Sequence, residues 1–324
     1  MSTDALRPVW LDTDPGFDDW LTMLMLAADA QVDWVGTSVV AGNAPLELTL
    51  ANALRIRRHY GLSAPIYRGC ATPLAGRLET AQQVLGAQGM RTRGEPLPEA
   101  SDSPAAGDGV QALLDALRTS PQPMTVVAIG PLTNLATALA RDPHAATRIR
   151  EILLMGGSTD RGNHTPAAEF NIYADPEAAD VVFNAGVPLR MFGLNVCRQV
   201  LIEPSHVQQV RQWPGQRAQW LAGYLDAYQR LRSADGSVPM PLYDPVVTAW
   251  LAAPALFEFS PARVDIELQG RFTRGMTVCD FKAHAQRPFN VQVATRADGP
   301  AVVRVVLERL HRALIQDRSQ RPLP

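Results

Sequence analysis

Short apolar runs alternate with amphipathic segments along most of this chain, and this alternation limits the folds open to it. The runs have the continuous apolar character of strands buried on both faces: PVWLDTD, VDWVGTSVVAG, APIYRG, MTVVAIG, EILLMGG and VPLRMFGLNV. The segments between them repeat apolar residues at helical spacing: DDWLTMLMLAADA, LELTLANALRIRRHYG, GVQALLDALRTS, LTNLATALARDP and DPEAADVVFNAG. The alternation predicts an α/β fold with a mostly parallel central sheet flanked by helices.

Residues 1–324 are predicted to form a single domain, because no linker-like stretch divides the chain. Residues 76–107, rich in Gly, Pro, Gln and charged residues, interrupt the alternation and are predicted to be an irregular loop insertion. Residues 205–242 are predicted to be helical. Beyond residue 261, three further strands are predicted over ARVDIEL, RGMTVCD and FNVQVATRAD, followed by a terminal helix, AVVRVVLERLHRALIQ.

Charge and composition exclude several classes of protein. The net charge of -2 argues against a nucleic-acid partner, since such proteins present a basic surface. The three cysteines are widely spaced and form no CxxC motif, which fits a reducing compartment. The N-terminal MSTDALRP lacks the apolar core of a signal peptide, and no apolar run is long enough to span a bilayer. We therefore expect a soluble, cytoplasmic protein without a membrane partner.

Four carboxylates crowd the segment VWLDTDPGFDD, namely Asp12, Asp14, Asp18 and Asp19. Like charges this dense repel each other unless a cation lies nearby. The Pro-Gly pair between them favours a tight turn that returns the second pair toward the first. A hard divalent cation, such as Ca²⁺ with its oxygen ligands, resolves the repulsion. Alternatively, Asp18 and Asp19 are ordinary residues at a helix N-terminus, where the helix dipole favours negative charge.

Other polar or small residues follow the remaining strands. Asn43 follows the second strand, Gly130 ends MTVVAIG, and Met155 stands near the end of EILLMGG. In open α/β sheets, ligands bind outside the carboxyl ends of the strands. We therefore expect these residues to meet Asp14 at one edge of the sheet.

Several motifs, in the same order along the chain, resemble those of the inosine–uridine-type nucleoside hydrolases. DTDPGFDD resembles the family signature DTDPGxDDA, and VVAGN, IGPLTNLA and ILLMGG resemble its later strand ends. GNHTPAAEFNIYADPEAA is similar to the family's GN…AEFNI..DPEAA stretch, and YDP stands where the family carries HDP. The matches extend to about Trp250. The resemblance implies a Rossmann-like fold, Ca²⁺-dependent hydrolysis of a ribonucleoside to ribose and free base, and a homo-oligomer, either dimer or tetramer.

The resemblance also implies a metal site. Asp14 and Asp19 would ligate Ca²⁺ together with Asp244 and the backbone carbonyl of Ile129. Asp14 would in addition be the general base for water, and Asp12 would steady the metal loop. Isoleucine at position 129 replaces a threonine of the family, but the proposed ligand is a backbone oxygen.

The ribose contacts follow from the same resemblance. Asp18 and Asn171 would bind the 2′ and 3′ hydroxyl groups of the sugar, while Asn163 and Glu169 would hold its 3′ and 5′ side. In addition, Asn43 would lie near the metal and the ribose, with Met155 packed against the ribose.

The base side departs from the family pattern. Tyr243 replaces a histidine that some members use as the leaving-group acid, and Leu85 stands near the position of another. Tyr243 is a candidate acid, or alternatively an aromatic wall of the pocket. Tyr228 shares a helix face with Tyr224 and could stack on the base, although a core stripe also explains the pair. His164, inside GNHTP, is either close to the sugar or an exposed loop residue. The helical segment 205–242 is expected to lie over the active site.

Two other functions are compatible with parts of the sequence. In a haloacid-dehalogenase-type phosphohydrolase, Asp12 would be the nucleophile and the metal Mg²⁺, but that class needs a basic residue at later strand ends, which read AGN, IGP and MGG. A catalytically weak nucleoside-binding protein would explain the missing histidines, and turnover of a nucleoside distinguishes it from an enzyme.

Overall fold

A long sheet runs through the molecule, and Asp14, Asn43, Ile129 and Met155 lie at or just beyond the carboxyl ends of its strands. The computed structural model describes residues 6–284 and 286–315. The first five residues, which belong to the N-terminal segment considered above, and the end of the predicted terminal helix lie outside the described residues. Within the described ranges the strands are β1 (Arg7–Thr13), β2 (Val32–Val39), β3 (Ile66–Arg68), β4 (Met124–Ala128), β5 (Ile149–Met155), β6 (Leu189–Phe192), β7 (Leu201–Ile202), β8 (Met240–Pro241), β9 (Phe257–Ile266), β10 (Thr277–Asp280) and β11 (Val291–Ala297).

Helices fill most of the connections between these strands. They are α1 (Phe17–Ala28), α2 (Leu46–Tyr60), α3 (Gln82–Leu85), α4 (Gly109–Thr119), α5 (Thr133–Arg141), α6 (Phe170–Ala174), α7 (Pro176–Phe183), α8 (Leu194–Cys197), α9 (Pro204–Arg211), α10 (Gln216–Gln229), α11 (Pro245–Ala252) and α12 (Gly299–Ile315), with 3₁₀ turns at Pro143–Arg148 and Pro254–Leu256. Helix α2 is capped at its C-terminus by Gly61, whose positive φ of 64° is the left-handed conformation that glycine adopts most easily. Among the described residues, no helix has both the length and the apolar character that crossing a membrane requires.

The main sheet has nine strands in the order β10-β9-β11-β6-β5-β4-β1-β2-β3. Pairing is parallel from β3 to β11, while β9 and β10 add an antiparallel edge. The chain proceeds from β1 outward to β2 and β3, then returns to β4 on the other side of β1. The strand order thus reverses between β1 and β4, and this is the place where open α/β sheets bind ligands.

Apolar side chains cover both faces of the sheet. On one face, Val9 and Leu11 of β1 pack with helices α1, α2, α10, α11 and α12. On the other face, Trp10 packs with helices α4, α5 and α7. Burial on both faces explains why the strands have continuous apolar runs rather than an alternating pattern. The predicted α/β fold is confirmed.

Two sequence predictions were wrong in detail. The strand predicted over VPLRMFGLNV ends at Phe192, because Gly193 begins the short helix α8 and the Leu194 N–H donates to the Gly157 carbonyl at 2.9 Å. The segment 205–242 is helical only as far as Gln229, and its last part includes β8. Within 76–107, the regular structure consists of the single turn α3.

Candidate active site

A cavity of about 280 Å³ opens at the carboxyl ends of the central strands. Most residues predicted to touch metal, ribose or base line it, although they come from distant parts of the chain: Asp18, Asn43, Ile129, Met155, Asn163, Glu169, Asn171, Tyr228, Tyr243 and Asp244. Asp14 and Asp19 are fully buried and lie outside this lining. A concave site with convergent polar groups is the usual place for a small ligand.

Asp14 follows β1 and is held by one backbone donor and one side-chain donor of Asn43, in the loop after β2. Its Oδ2 accepts the Asn43 N–H at 2.7 Å, and its backbone carbonyl accepts the Asn43 side-chain amide at 3.0 Å. Its Oδ1 is buried and has no hydrogen-bond partner among the described residues. A β-carbon on Gly130 would lie 2.6 Å from this Oδ1, so glycine is needed there for the close approach. Asp14 therefore presents one unsatisfied carboxylate oxygen.

Asp19 is fixed at the start of α1. Its Oδ2 accepts the Gly16 N–H at 2.9 Å and the Asn43 amide at 3.1 Å, and its Oδ1 accepts the Thr13 hydroxyl group. Asp19 therefore lies in the first turn of α1 and accepts a backbone N–H there, as the alternative interpretation of it as an ordinary helix N-terminal residue predicts. These hydrogen bonds also orient the carboxylate among the other acids.

Carboxylate oxygens of Asp18, Asp19 and Asp244 all lie within 4.8 Å of one another. Burial raises the pKa of Asp18 to about 7, with the neighbouring Asp19 charge adding to the effect. Burial also raises the pKa of Asp14, helped by Asp19, and that of Asp244, helped by the charges of Asp18, Asp19 and Asp14. Without a cation these carboxyl groups therefore favour the protonated form. A bound cation would favour their charged form, so the cluster is a candidate cation site.

Asp12 lies behind this cluster and not on the cavity. Its Oδ2 accepts hydrogen bonds from the Ser38 hydroxyl group and from the Asn134 amide, the latter at 2.8 Å. These contacts join β1 to β2 and α5. Burial raises the pKa of Asp12 to about 7.

Asn171 connects two strand ends. Its Nδ2 donates to the Ile129 carbonyl at 3.0 Å and to the Met155 carbonyl at 3.1 Å. Both amide N–H groups are used in this way, so the side chain offers its Oδ1 acceptor to a ligand. The Ile129 carbonyl retains a second lone pair that a cation could use.

Glu169 and Asn163 are fixed by backbone N–H groups beside the cavity. Glu169 accepts the N–H of Gly157 at 2.9 Å, of Asn171 at 2.9 Å and of Ile172 at 3.2 Å. Burial nevertheless raises its pKa to about 7. Asn163 accepts the Phe170 N–H at 3.0 Å through its Oδ1, and this leaves its NH₂ group to donate to a ligand.

Two tyrosines also line the cavity. The Tyr228 hydroxyl group donates to the Pro241 carbonyl at 2.8 Å. Its helical neighbour Tyr224 does not line the cavity and packs edge-on against Trp20, with ring centroids 4.9 Å apart. Tyr243 is half-buried, and burial raises the pKa of its hydroxyl group.

The lining also includes His164, whose place the sequence left open, and Arg232, which the sequence did not identify. His164 lines it, with its Nε2 3.3 Å from Glu79 Oε2 and its ring 4.5 Å from that of Tyr173. Arg232 lines it near Tyr243, while its Nη1 donates to the Pro239 carbonyl at 2.8 Å. Helical spacing offered a signal for Arg232, which follows Tyr224 and Tyr228 at intervals of four, although it lies just beyond α10.

Known nucleoside hydrolases resemble this chain along most of its length. The family model of inosine-uridine preferring nucleoside hydrolases matches residues 9–304. The pyrimidine-specific ribonucleoside hydrolase RihA of Shewanella sp. (strain MR-7) is 38% identical over 307 residues, which cover 94% of this chain and 96% of that protein. The non-specific ribonucleoside hydrolase RihC of Escherichia coli (strain SMS-3-5 / SECEC) is 38% identical over 291 residues, covering 90% and 94%.

A solved structure has the same fold. The purine-preferring ribonucleoside hydrolase from Gardnerella vaginalis superimposes with a TM-score of 0.86 at 28% identity, over 95% of this chain and 100% of that one. The phosphohydrolase interpretation is therefore wrong, and the predicted nucleoside hydrolase fold is confirmed. The chain belongs to the inosine-uridine preferring nucleoside hydrolase family, whose members it matches along nearly its whole length, and it is a ribonucleoside hydrolase.

Proposed function

We propose that this enzyme hydrolyses the N-glycosidic bond of ribonucleosides, pyrimidine ribonucleosides among them, with Ca²⁺ held by Asp14, Asp19, Asp244 and the Ile129 carbonyl. The observation that carries the proposal is the buried Asp14 Oδ1, which lacks a hydrogen-bond partner among the described residues. Asp14 interacts electrostatically with three other acids, Asp18, Asp19 and Asp244. A buried, unpaired carboxylate oxygen is costly unless a ligand satisfies it.

The donor set suits Ca²⁺. It consists of oxygen atoms alone, and Ca²⁺ accepts six to eight such ligands in flexible geometry. Mg²⁺ binds fewer protein ligands and needs a stricter octahedron. When bound, the cation would supply Lewis-acid activation of water and charge neutralisation among the carboxylates.

The residues of the chain would bind the sugar and move a proton. Asp14 would take the proton of the attacking water, since its Oδ1 has no competing hydrogen bond within the described residues. Asp18 and the Asn171 Oδ1 would accept the 2′ and 3′ hydroxyl groups, and Asn163 and Glu169 would hold the 3′ and 5′ side. Cleavage gives the ribose oxocarbenium character, and the surrounding carboxylates stabilise that positive charge.

The departing base needs a proton or a positive neighbour. The raised pKa of Tyr243 keeps its hydroxyl group protonated at neutral pH, but it also makes the phenol a weaker acid. Proton donation would therefore follow the build-up of negative charge on the base. Arg232, which lines the same part of the cavity, would stabilise that charge without giving up a proton.

The base preference is proposed from the names of the relatives. RihA is called pyrimidine-specific and RihC non-specific, and both are 38% identical to this chain. A panel of uridine, cytidine, inosine, adenosine and guanosine, assayed for released ribose, tests the proposal. Pyrimidine ribosides are expected to be cleaved. Tight nucleoside binding without release of ribose would instead favour the catalytically weak alternative. The proposal also includes a cytoplasmic location, which the sequence composition suggests, and a homo-oligomeric state, which rests on the family resemblance alone.

Protein purified without chelator is expected to contain about one Ca²⁺ ion per chain. The reason is that the acid cluster favours protonation or a cation over free charge. Elemental analysis measures the content, and removal of the ion with a chelator should abolish turnover until Ca²⁺ is restored. A stoichiometric transition metal, or full activity of metal-free protein, would contradict the calcium assignment.

Replacing Tyr243 by phenylalanine is expected to slow uridine cleavage on the order of 10²-fold, the usual contribution of a positioned acid. The same variant should spare p-nitrophenyl riboside, because p-nitrophenolate leaves without a proton. Steady-state kcat for the two substrates gives the comparison. An equal loss on both would show that Tyr243 acts by packing.

A further inference from the structure

Asn52, in the middle of α2, joins two segments of the active site. Its side chain is fully buried, and its Nδ2 donates to the Pro15 carbonyl at 3.0 Å and to the Gln88 carbonyl at 2.8 Å. Pro15 belongs to the turn between Asp14 and Asp19, the acid turn, and Gln88 belongs to the insertion at residues 76–107. The Asn52 Oδ1 is buried without a hydrogen-bond partner among the described residues. An apolar residue would avoid that unpaired atom, so the two donors are what asparagine contributes.

The insertion packs directly on the turn at this point. A β-carbon on Gly16 would lie 3.3 Å from the Gly89 carbonyl oxygen. A few residues earlier, Thr80, Ala81 and residues 83–85 form part of the cavity lining. A shift of residues 88 and 89 would therefore disturb both the acid turn and the wall that faces the substrate.

The next part of the insertion is fastened to α10. The Arg93 N–H donates to the Gly223 carbonyl at 3.1 Å, and the Leu97 N–H donates to the Tyr224 hydroxyl group at 3.1 Å. Asn52 thus links the acid turn to the insertion, and later residues of the insertion contact α10, the helix that carries Tyr228.

We propose that Asn52 is a positioning residue, which fixes the acid turn and the insertion relative to each other and so sets the affinity of the site for Ca²⁺. The inference rests on the proposed function, because that function assigns the cation to this turn. Residues that orient metal ligands from behind typically change metal affinity by about 10- to 100-fold when they are replaced.

Two variants of the full chain test the proposal. Asn52→Ala removes both hydrogen bonds but leaves a cavity that can destabilise the fold. Asn52→Leu removes the same hydrogen bonds and keeps most of the side-chain volume, so it serves as the second variant if Asn52→Ala does not fold. Calorimetric titration of chelator-treated protein with Ca²⁺ should give an affinity about 10- to 100-fold below that of the wild type. Trypsin should cleave faster after Arg91 and Arg93, which are exposed in the insertion.

Thr49→Val is the matched control. Thr49 is equally buried one turn earlier on α2. Its hydroxyl group donates to the Val40 and Leu46 carbonyls, and neither of these residues belongs to the acid turn or to the insertion. This variant should bind Ca²⁺ and resist trypsin as the wild type does. Wild-type affinity in a folded Asn52 variant, or unchanged cleavage of the insertion, would overturn the positioning role. If the wild type itself binds no Ca²⁺, the proposed function fails, and the trypsin result then decides separately whether Asn52 holds the insertion.

Discussion

Asp14→Asn is expected to lower kcat for uridine by about 10²- to 10⁴-fold, the range that the loss of a positioned general base produces. Asparagine has the shape of aspartate, so the hydrogen bond from the Asn43 N–H can persist through its amide oxygen. The position that Oδ1 holds in the wild type then becomes an NH₂ group. An amide NH₂ group does not accept a proton from water as a carboxylate oxygen does.

Weaker cation binding would add to this loss, and the two effects can be separated. Calorimetry gives the Ca²⁺ affinity of the variant, and kcat measured at saturating Ca²⁺ gives the remaining catalytic effect. The KM for uridine should change much less than kcat, because ribose contacts are assigned to other side chains. Near-native kcat at saturating Ca²⁺ would show that Asp14 is not the base.

An exposed aspartate provides the control for charge removal. Asp115 lies on α4, far along the chain from the acid turn, and forms a surface ion pair with Arg118. Asp115→Asn removes one carboxylate from the protein without touching the cavity. This variant should keep the wild-type kcat and Ca²⁺ content, because Asp115 does not line the cavity. It should also remain folded, since exposed ion pairs contribute little to stability.

Strand ends were the part of the site that sequence could predict. Asp14, Asn43, Ile129 and Met155 meet because parallel strands of one sheet place their carboxyl ends at one edge, whatever the distance between them in sequence. The apolar runs identified those strands because both faces of the sheet are buried. Locating the strand ends in the sequence was therefore enough to predict that these four residues lie at the same edge of the sheet.

Other residues of the lining depend on irregular backbone, which periodicity does not describe. His164 and Arg232 reach the cavity from loop segments, and Asn52 contacts the insertion through a carbonyl of a residue with no regular structure. The end of β6 was missed for a related reason. Its apolar run continues through Gly193 into α8, and short apolar segments are compatible with either conformation.

A 2′-deoxyriboside is expected to be cleaved far more slowly than the matching riboside, by as much as ~10⁴ in kcat/KM. Asp18 and the Asn171 Oδ1 are assigned to the sugar diol. Both residues line the cavity, and Asp18 belongs to the acid cluster. A substrate without the 2′ hydroxyl group leaves one of these acceptors without its hydrogen-bond donor, and such a mismatch costs more than the loss of an apolar contact.

The comparison of uridine with 2′-deoxyuridine is stringent because intrinsic reactivity favours the deoxy substrate. The 2′ oxygen withdraws electrons and disfavours the oxocarbenium character that cleavage requires, so a preference for uridine must come from the site. Asp18→Ala removes one acceptor and should narrow the ratio of kcat/KM between the two substrates mainly by slowing uridine. Efficient cleavage of 2′-deoxyuridine by the wild type, or an unchanged ratio in Asp18→Ala, would show that the diol is not read by Asp18.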